Sequence, residues 1–286
     1  MKKLNQKGFH HVMVLVVVVI LIAIGLVGYK VAAKRTSATD KKATTSTPTN
    51  SSATSNPDTQ QTQLIWSQGQ DGWTASQKAP DCPAQPMLKS PVDMSKVTAI
   101  LYPGQTRGGN YKPHGGFRFD NQSNDQTVTA PLDGFIVRGS SYKEIGEVQY
   151  LFDVMNNCGV MYRFDHLRVV TDVLKKIADT WPAPQENVSQ THNVSPAVAI
   201  KQGDVLATSI GFVNTKNVGV DWGVYDYRTT NEASKSSSYQ QAHSQFKETA
   251  WHAVCWFDWL STTDAAKVRA LPAGDQANGK KSDYCK

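Results

Sequence analysis

The chain has 286 residues, 40% of them apolar, enough for one or two domains with a sizeable core. Its formal charge of +6 is concentrated at one end: residues 1–63 hold 8 Lys and Arg against 2 Asp and Glu, and residues 64–286 hold 22 of each kind. A nucleic-acid-binding domain carries its basic footprint in the folded part, so that class of partner is set aside.

Residues 1–11 form a basic leader with Lys2, Lys3 and Lys7. Val12 to Tyr29 then runs 18 residues without a charge, dense in Val, Ile and Leu. As a helix it spans about 27 Å, close to the thickness of a bilayer core. A helix of a soluble core keeps a polar stripe, and this run has none. The expectation is one transmembrane helix, with the rest of the chain outside the cytoplasm. Flanking lysines on both sides leave the orientation ambiguous by charge alone. Val31-Ala32-Ala33 offers small residues to a signal peptidase, but the long apolar run favours a retained anchor.

Residues 30–63 read as a tether. Thr36 to Gln63 holds no aromatic residue and no Val, Ile, Leu or Met. Such a stretch buries too little to offset its ordering entropy. As a flexible coil it spans roughly 30 Å. Cys82, Cys158, Cys255 and Cys285 all lie beyond it. None forms a C-x-x-C pair, and an even count behind an anchor points to disulfides in an oxidising compartment. Three pairings are possible. The one expected here joins Cys255 to Cys285 and Cys82 to Cys158.

Residues 64–230 read as short strands with turns between them. Lys96 to Tyr102 is a strand closed by Pro103-Gly104, and Gly116 to Asp120 is the next. Thr127 to Arg138 reads as strand, turn at Asp133-Gly134, strand. Glu147 to Met155 and Val160 to Val169 flank Asn156-Asn157-Cys158-Gly159 as a hairpin. Ala197 to Ile210 holds a turn at Lys201-Gln202-Gly203-Asp204, and Val218 to Tyr227 is a last strand. Thr171 to Trp181 is a helical insert. The pattern predicts a mainly β fold, an antiparallel sandwich or barrel. Residues 231–286 read as a helical cap. Phe246, Ala250, Ala253, Phe257 and Leu260 repeat at helical spacing, and a second helix runs from Thr263 to Leu271, stopped by Pro272. Trp251, Trp256 and Trp259 either pack on the sheet or offer indoles to a glycan.

Lys112-Pro113-His114-Gly115-Gly116-Phe117-Arg118-Phe119-Asp120 resembles the first zinc motif of the M23 (LytM-like) peptidoglycan endopeptidases, His-x-Gly-x-Asp. Thr129 to Val137 is similar to the family's Ala-x-x-Asp-Gly-x-Val strand. Phe164-Asp165-His166-Leu167 is similar to its Tyr-x-His-Leu motif. Val220-Asp221-Trp222-Gly223-Val224 falls where the family has His-x-His. The resemblance covers residues 102–228 and implies a LytM-type β domain. It makes His114 the first zinc ligand and His166 a catalytic histidine. Arg118 stands for the aspartate ligand, Gly223 for the last histidine ligand and Asp221 for the other catalytic histidine.

Arginine stays protonated and offers no lone pair, and glycine offers no side chain. The expectation is therefore no zinc and no hydrolysis. The groove of His114, Arg118, Asp120, His166, Asp221, Trp222 and Gly223 would bind peptidoglycan or help regulate a cell-wall hydrolase. Arg118 and Asp221 are expected to pair across the old site, or His114 to pair with Asp221. One alternative is an active zinc endopeptidase with ligands shifted to His114, Asp120 and Asp221. Another is a pilus or surface adhesin component, since Lys7-Gly8-Phe9 is similar to a prepilin cleavage site, although Met13 stands where pilins carry glutamate.

Overall fold

The computed structural model describes residues 62–69 and 72–286. The basic leader, the 12–29 span and the tether up to residue 61 lie outside the described residues. No helix among the described residues is long and apolar enough to cross a membrane. The junction of the tether with the β domain is pinned by Asn157. Asn157 Nδ2 donates to the Thr62 carbonyl at 2.9 Å, and the Leu64 amide donates to Asn157 Oδ1 at 2.8 Å.

The protein is mainly β. Its strands are β1 (Trp66–Gly69), β2 (Gly72–Ala75), β3 (Ala99–Leu101), β4 (Gln105–Arg107), β5 (Asn110–Lys112), β6 (Gly115–Arg118), β7 (Val128–Thr129), β8 (Gly134–Glu144), β9 (Glu147–Met155) and β10 (Val160–Val170). After helix α1 (Asp172–Ala178) come β11 (His192–Ile200), β12 (Val205–Ile210) and β13 (Gly219–Asp226). One antiparallel sheet of nine strands runs β11-β8-β9-β10-β13-β6-β3, with β12 beside β10 and β7 beside β12. The pairs β1–β2 and β4–β5 stand apart as hairpins.

The β9–β10 hairpin forms where the alternation placed it. The expected turn at Asp133-Gly134 is displaced: the chain bends at Pro131-Leu132, Gly134 already belongs to β8, and the flanking strands do not pair with each other, since β7 pairs with β12, and β8 with β9 and β11. The partner of β8 comes through a two-residue turn, Ile145-Gly146, with φ of 54° and 75°. That is the left-handed geometry a tight hairpin demands.

Period-2 alternation sorts the two faces of the sheet. On one face Phe117, Phe152, Val154, Tyr162, Phe164, Val220, Trp222 and Val224 form the core, each no more than 1% exposed. Residues 231–286 complete that core. Trp222 lies 4.5 Å from Trp256 between ring centroids, and Phe257 meets Tyr102 edge-on at 4.9 Å. The second face carries the alternate residues: Asp165, Arg163 and Met161 of β10 opposite Asp221, Gly223 and Tyr225 of β13.

The apolar stripe from Phe246 to Leu260 is not one helix. Helix α2 (Ser237–Ala242) is followed by the single turn α3 (Lys247–Ala250), and a 3-10 turn covers Trp256–Trp259. Between them the chain straightens against β13. The Val254 amide donates to the Val224 carbonyl at 3.0 Å, and the Asp226 amide to the His252 carbonyl at 2.9 Å. Tertiary pairing overrides local propensity here. Trp256 and Trp259 are buried in the core, so they offer no glycan platform. Helix α4 (Thr262–Ala270) does form, and Ser261 caps it by accepting the Asp264 amide at 3.1 Å. Ser261→Ala is expected to cost about 1 kcal/mol in urea unfolding. Both disulfides pair as expected, Cys82 with Cys158 and Cys255 with Cys285.

Candidate functional site

Three separate stretches converge on the second face of the sheet. His114 sits in the turn from β5 into β6. Asp221 lies on β13, opposite Gly116. His166 lies on β10 at a bulge. Phe164 pairs with Phe152 and Leu167 with Tyr150, so β10 spends one extra residue there. His166 takes the left-handed conformation, φ 62°. At the same point β10 changes neighbours, from β13 up to Asp165 to β12 from Leu167 onward. The bulge turns the imidazole toward Asp221.

Asp221 Oδ2 is the centre of the cluster. It stands 2.9 Å from His114 Nε2 and 3.8 Å from His166 Nε2. The His114 contact is close but bent, and Nε2 has no aligned hydrogen-bond partner. Arg107 props the His114 backbone, donating from Nη2 to the His114 carbonyl at 3.0 Å and from Nη1 to the Tyr102 carbonyl at 2.7 Å. Tyr142 Oη donates to Asp165 Oδ1 at 2.7 Å, and that oxygen also accepts the His166 amide at 2.8 Å. These groups line a cleft of about 240 Å³ with Lys112, Glu144, Asn187 and Ser189.

The charges divide the two imidazoles. Burial pushes His114 below its ordinary value, and Asp221 only partly compensates. Burial also opposes charge on His166, but Asp165, then Asp221 and Glu144, outweigh it and raise its affinity for a proton. Burial would raise Asp221, yet His114, His166 and Arg107 hold it well below the usual carboxylate range.

A raised histidine stabilises the fold fully below its unfolded value of 6.5, and the contribution fades as pH rises through the folded value. His166→Asn keeps a residue that tolerates the left-handed backbone. Its destabilisation is expected to be larger at about pH 5.5 than at about pH 9. Equal losses at both values would contradict the charge assignment.

The other expected groove residues lie elsewhere. Trp222 points into the core and is fully buried. Arg118 does not reach Asp221. It bonds Asn217 and pairs with Asp120 Oδ1 at 3.0 Å. Asp120 also takes a hydrogen bond from Thr98 Oγ1 at 3.3 Å, so it does not join His114 and Asp221. At Gly223 a Cβ would stand 2.3 Å from the Tyr225 hydroxyl. The space of a last histidine ligand is thus taken by a tyrosine side chain.

Zinc is the metal the resemblance implies, and the residues present do not fit it. One imidazole is tied to a carboxylate, the arginine is turned away, and the glycine position is filled. Among the described residues no group of three or more His, Cys, Asp or Glu side chains is arranged to hold a metal ion.

Asp165 was legible as the neighbour of His166 in the motif. Tyr142 and Glu144 lie beyond the strand end expected at Arg138, on the part of β8 that runs on to Glu144. Lys112, Asn187 and Ser189 carry no sequence signal of their own. No family model matches the chain, and no curated protein sequence matches it.

Proposed function

We propose that this chain is a membrane-anchored, extracytoplasmic module of the LytM type that grips peptidoglycan in the His114–His166–Asp221 cleft without hydrolysing it. The observation that carries the reading is the pairing of convergence with substitution. The turn before β6 and strands β10 and β13 deliver His114, His166 and Asp221 to one cleft, while Arg118 turns away to Asp120 and Tyr225 fills the space at Gly223. The two disulfides and the apolar 12–29 run support the compartment and the anchor.

The cleft is acidic on balance. Asp165, Asp221 and Glu144 face Lys112, His166 and His114, and burial disfavours charge on His114. That lining suits an ammonium group on an extended peptide, such as the side-chain amine of a stem-peptide diamino acid. Full-length chain in detergent is expected to be retained on purified cell-wall sacculi and to release no soluble fragments. Asp221→Asn is expected to weaken retention by about tenfold. Soluble fragments accumulating with added zinc would favour the endopeptidase alternative. Retention unchanged in Asp221→Asn would place binding outside the cleft.

A further inference from the structure

A second opening on this side of the sheet is larger than the cleft. It is a cavity of about 560 Å³ beside Met161, within the range of about 300–1,000 Å³ usual for small-molecule sites. Met161 is four residues from Asp165 on β10, so the cavity begins about 13 Å from the cleft. The β1–β2 hairpin forms its roof with Trp66 and Trp73, and Phe135, Met155 and Tyr227 form apolar walls. Arg138 and Glu248, paired with each other, close one end.

The aromatic groups are held in place before any ligand arrives. Trp73 stacks on Tyr227 with centroids 4.0 Å apart and planes within 6°. Trp66 lies over Gly159, where a Cβ would meet its ring at 2.7 Å, and donates Nε1 to the Asn157 carbonyl at 3.3 Å. Arg138 is anchored from below by Asp153, which Arg163 also holds. Preorganised walls of this kind spare a ligand the cost of ordering them.

We infer that this cavity is a saccharide-binding site, taking one or two pyranose rings. The lining contains one cation and one anion, so a simple ion finds no net attraction. A wholly apolar ligand would cover the Arg138–Glu248 pair and the Asn193 amide without replacing their water. A sugar ring meets both demands. Its C–H face lies on an indole ring, and its hydroxyls hydrogen-bond a carboxylate and a guanidinium. The chain's own preceding segment is a poor occupant, because Thr36 to Gln63 has no apolar side chain larger than alanine or proline to fill the walls. The site stands on this geometry and needs nothing from the cleft.

The test is calorimetric titration of the full-length chain, solubilised in a detergent without a sugar headgroup, with a β-1,4-linked N-acetylglucosamine tetramer. Saturable heat is expected. Trp66→Ala and Glu248→Gln are each expected to weaken association by about tenfold. Asp221→Asn is expected to titrate like the parent, which separates this cavity from the cleft. Three results overturn the inference. One is no saturable heat up to about 10 mM with the parent chain, a reading that no folding defect can mimic. Another is undiminished binding in both cavity variants. The third is an anilinonaphthalene sulfonate probe that binds in the cavity and is not displaced by the tetramer.

Discussion

Replacing Asp153 by alanine is expected to cost about 3–5 kcal/mol of unfolding free energy. The carboxylate is fully buried at the middle of the second sheet face. Arg163 grips both of its oxygens, at 2.6 and 2.7 Å, and Arg138 donates a further hydrogen bond from Nε. Removing the anion leaves two guanidiniums, each only 21% exposed, without the carboxylate they share. Urea unfolding at neutral pH checks the loss. Acid titration checks its origin. Burial favours the protonated acid, but Arg163 and Arg138 outweigh it and depress the folded pKa below 3.8. The stabilisation is therefore present above 3.8 and disappears as pH falls through the folded value. The gap between parent and variant should narrow in acid. A variant as stable as the parent at neutral pH would show that the two arginines find other partners.

Opening the Cys82–Cys158 bridge is expected to cost about 4 kcal/mol, because it closes the longer loop, with a separation of 76 residues. The bridge joins the segment after β2 to the β9–β10 turn, against which Trp66 packs at Gly159. Cys82→Ser/Cys158→Ser should lower the urea midpoint and weaken saccharide binding together. The Cys255–Cys285 bridge closes 30 residues and should cost somewhat less, about 3.5 kcal/mol. Its consequences should appear at the other end of the face. The tail it holds bonds the β4–β5 hairpin, with the Asp283 amide donating to the Gly104 carbonyl at 3.1 Å and Tyr111 Oη donating to Asp283 at 2.8 Å. That hairpin carries Arg107, which props His114. A reductant that left the melting temperature unchanged would contradict both assignments.

The strands were legible where alternation was strong and turns were marked. Glu147 to Met155 alternates between the core and the buried Asp153 layer, and its bounds are those read from sequence. Pairing was not legible, because a turn residue shows that the chain bends and not which neighbour it meets. The bend at Pro131-Leu132 lies between strands that part company. The Phe246 to Leu260 stripe mimicked a helix because residues 252–254 alternate along β13 while their neighbours coil.

At the site, the motifs located His114, His166 and Asp221 but could not orient the rest. Trp222 and Gly223 are adjacent to Asp221 in sequence, yet strand alternation sends Trp222 to the opposite face. Gly223 shares the face of Asp221, and only the folded chain reveals that Tyr225 folds back over it. The larger cavity left no motif at all. Its roof and one end come from residues more than sixty positions apart, Trp66 and Arg138.

The central claim is that the cleft holds its ligand without a metal. It is tested most directly by the zinc content of full-length chain equilibrated with excess zinc and then desalted, with melting temperatures taken in chelator. The account predicts far less than one zinc per chain and the same melting temperature with and without chelator. One zinc per chain, lost in His114→Ala and removed by chelator with a fall in melting temperature, would contradict it.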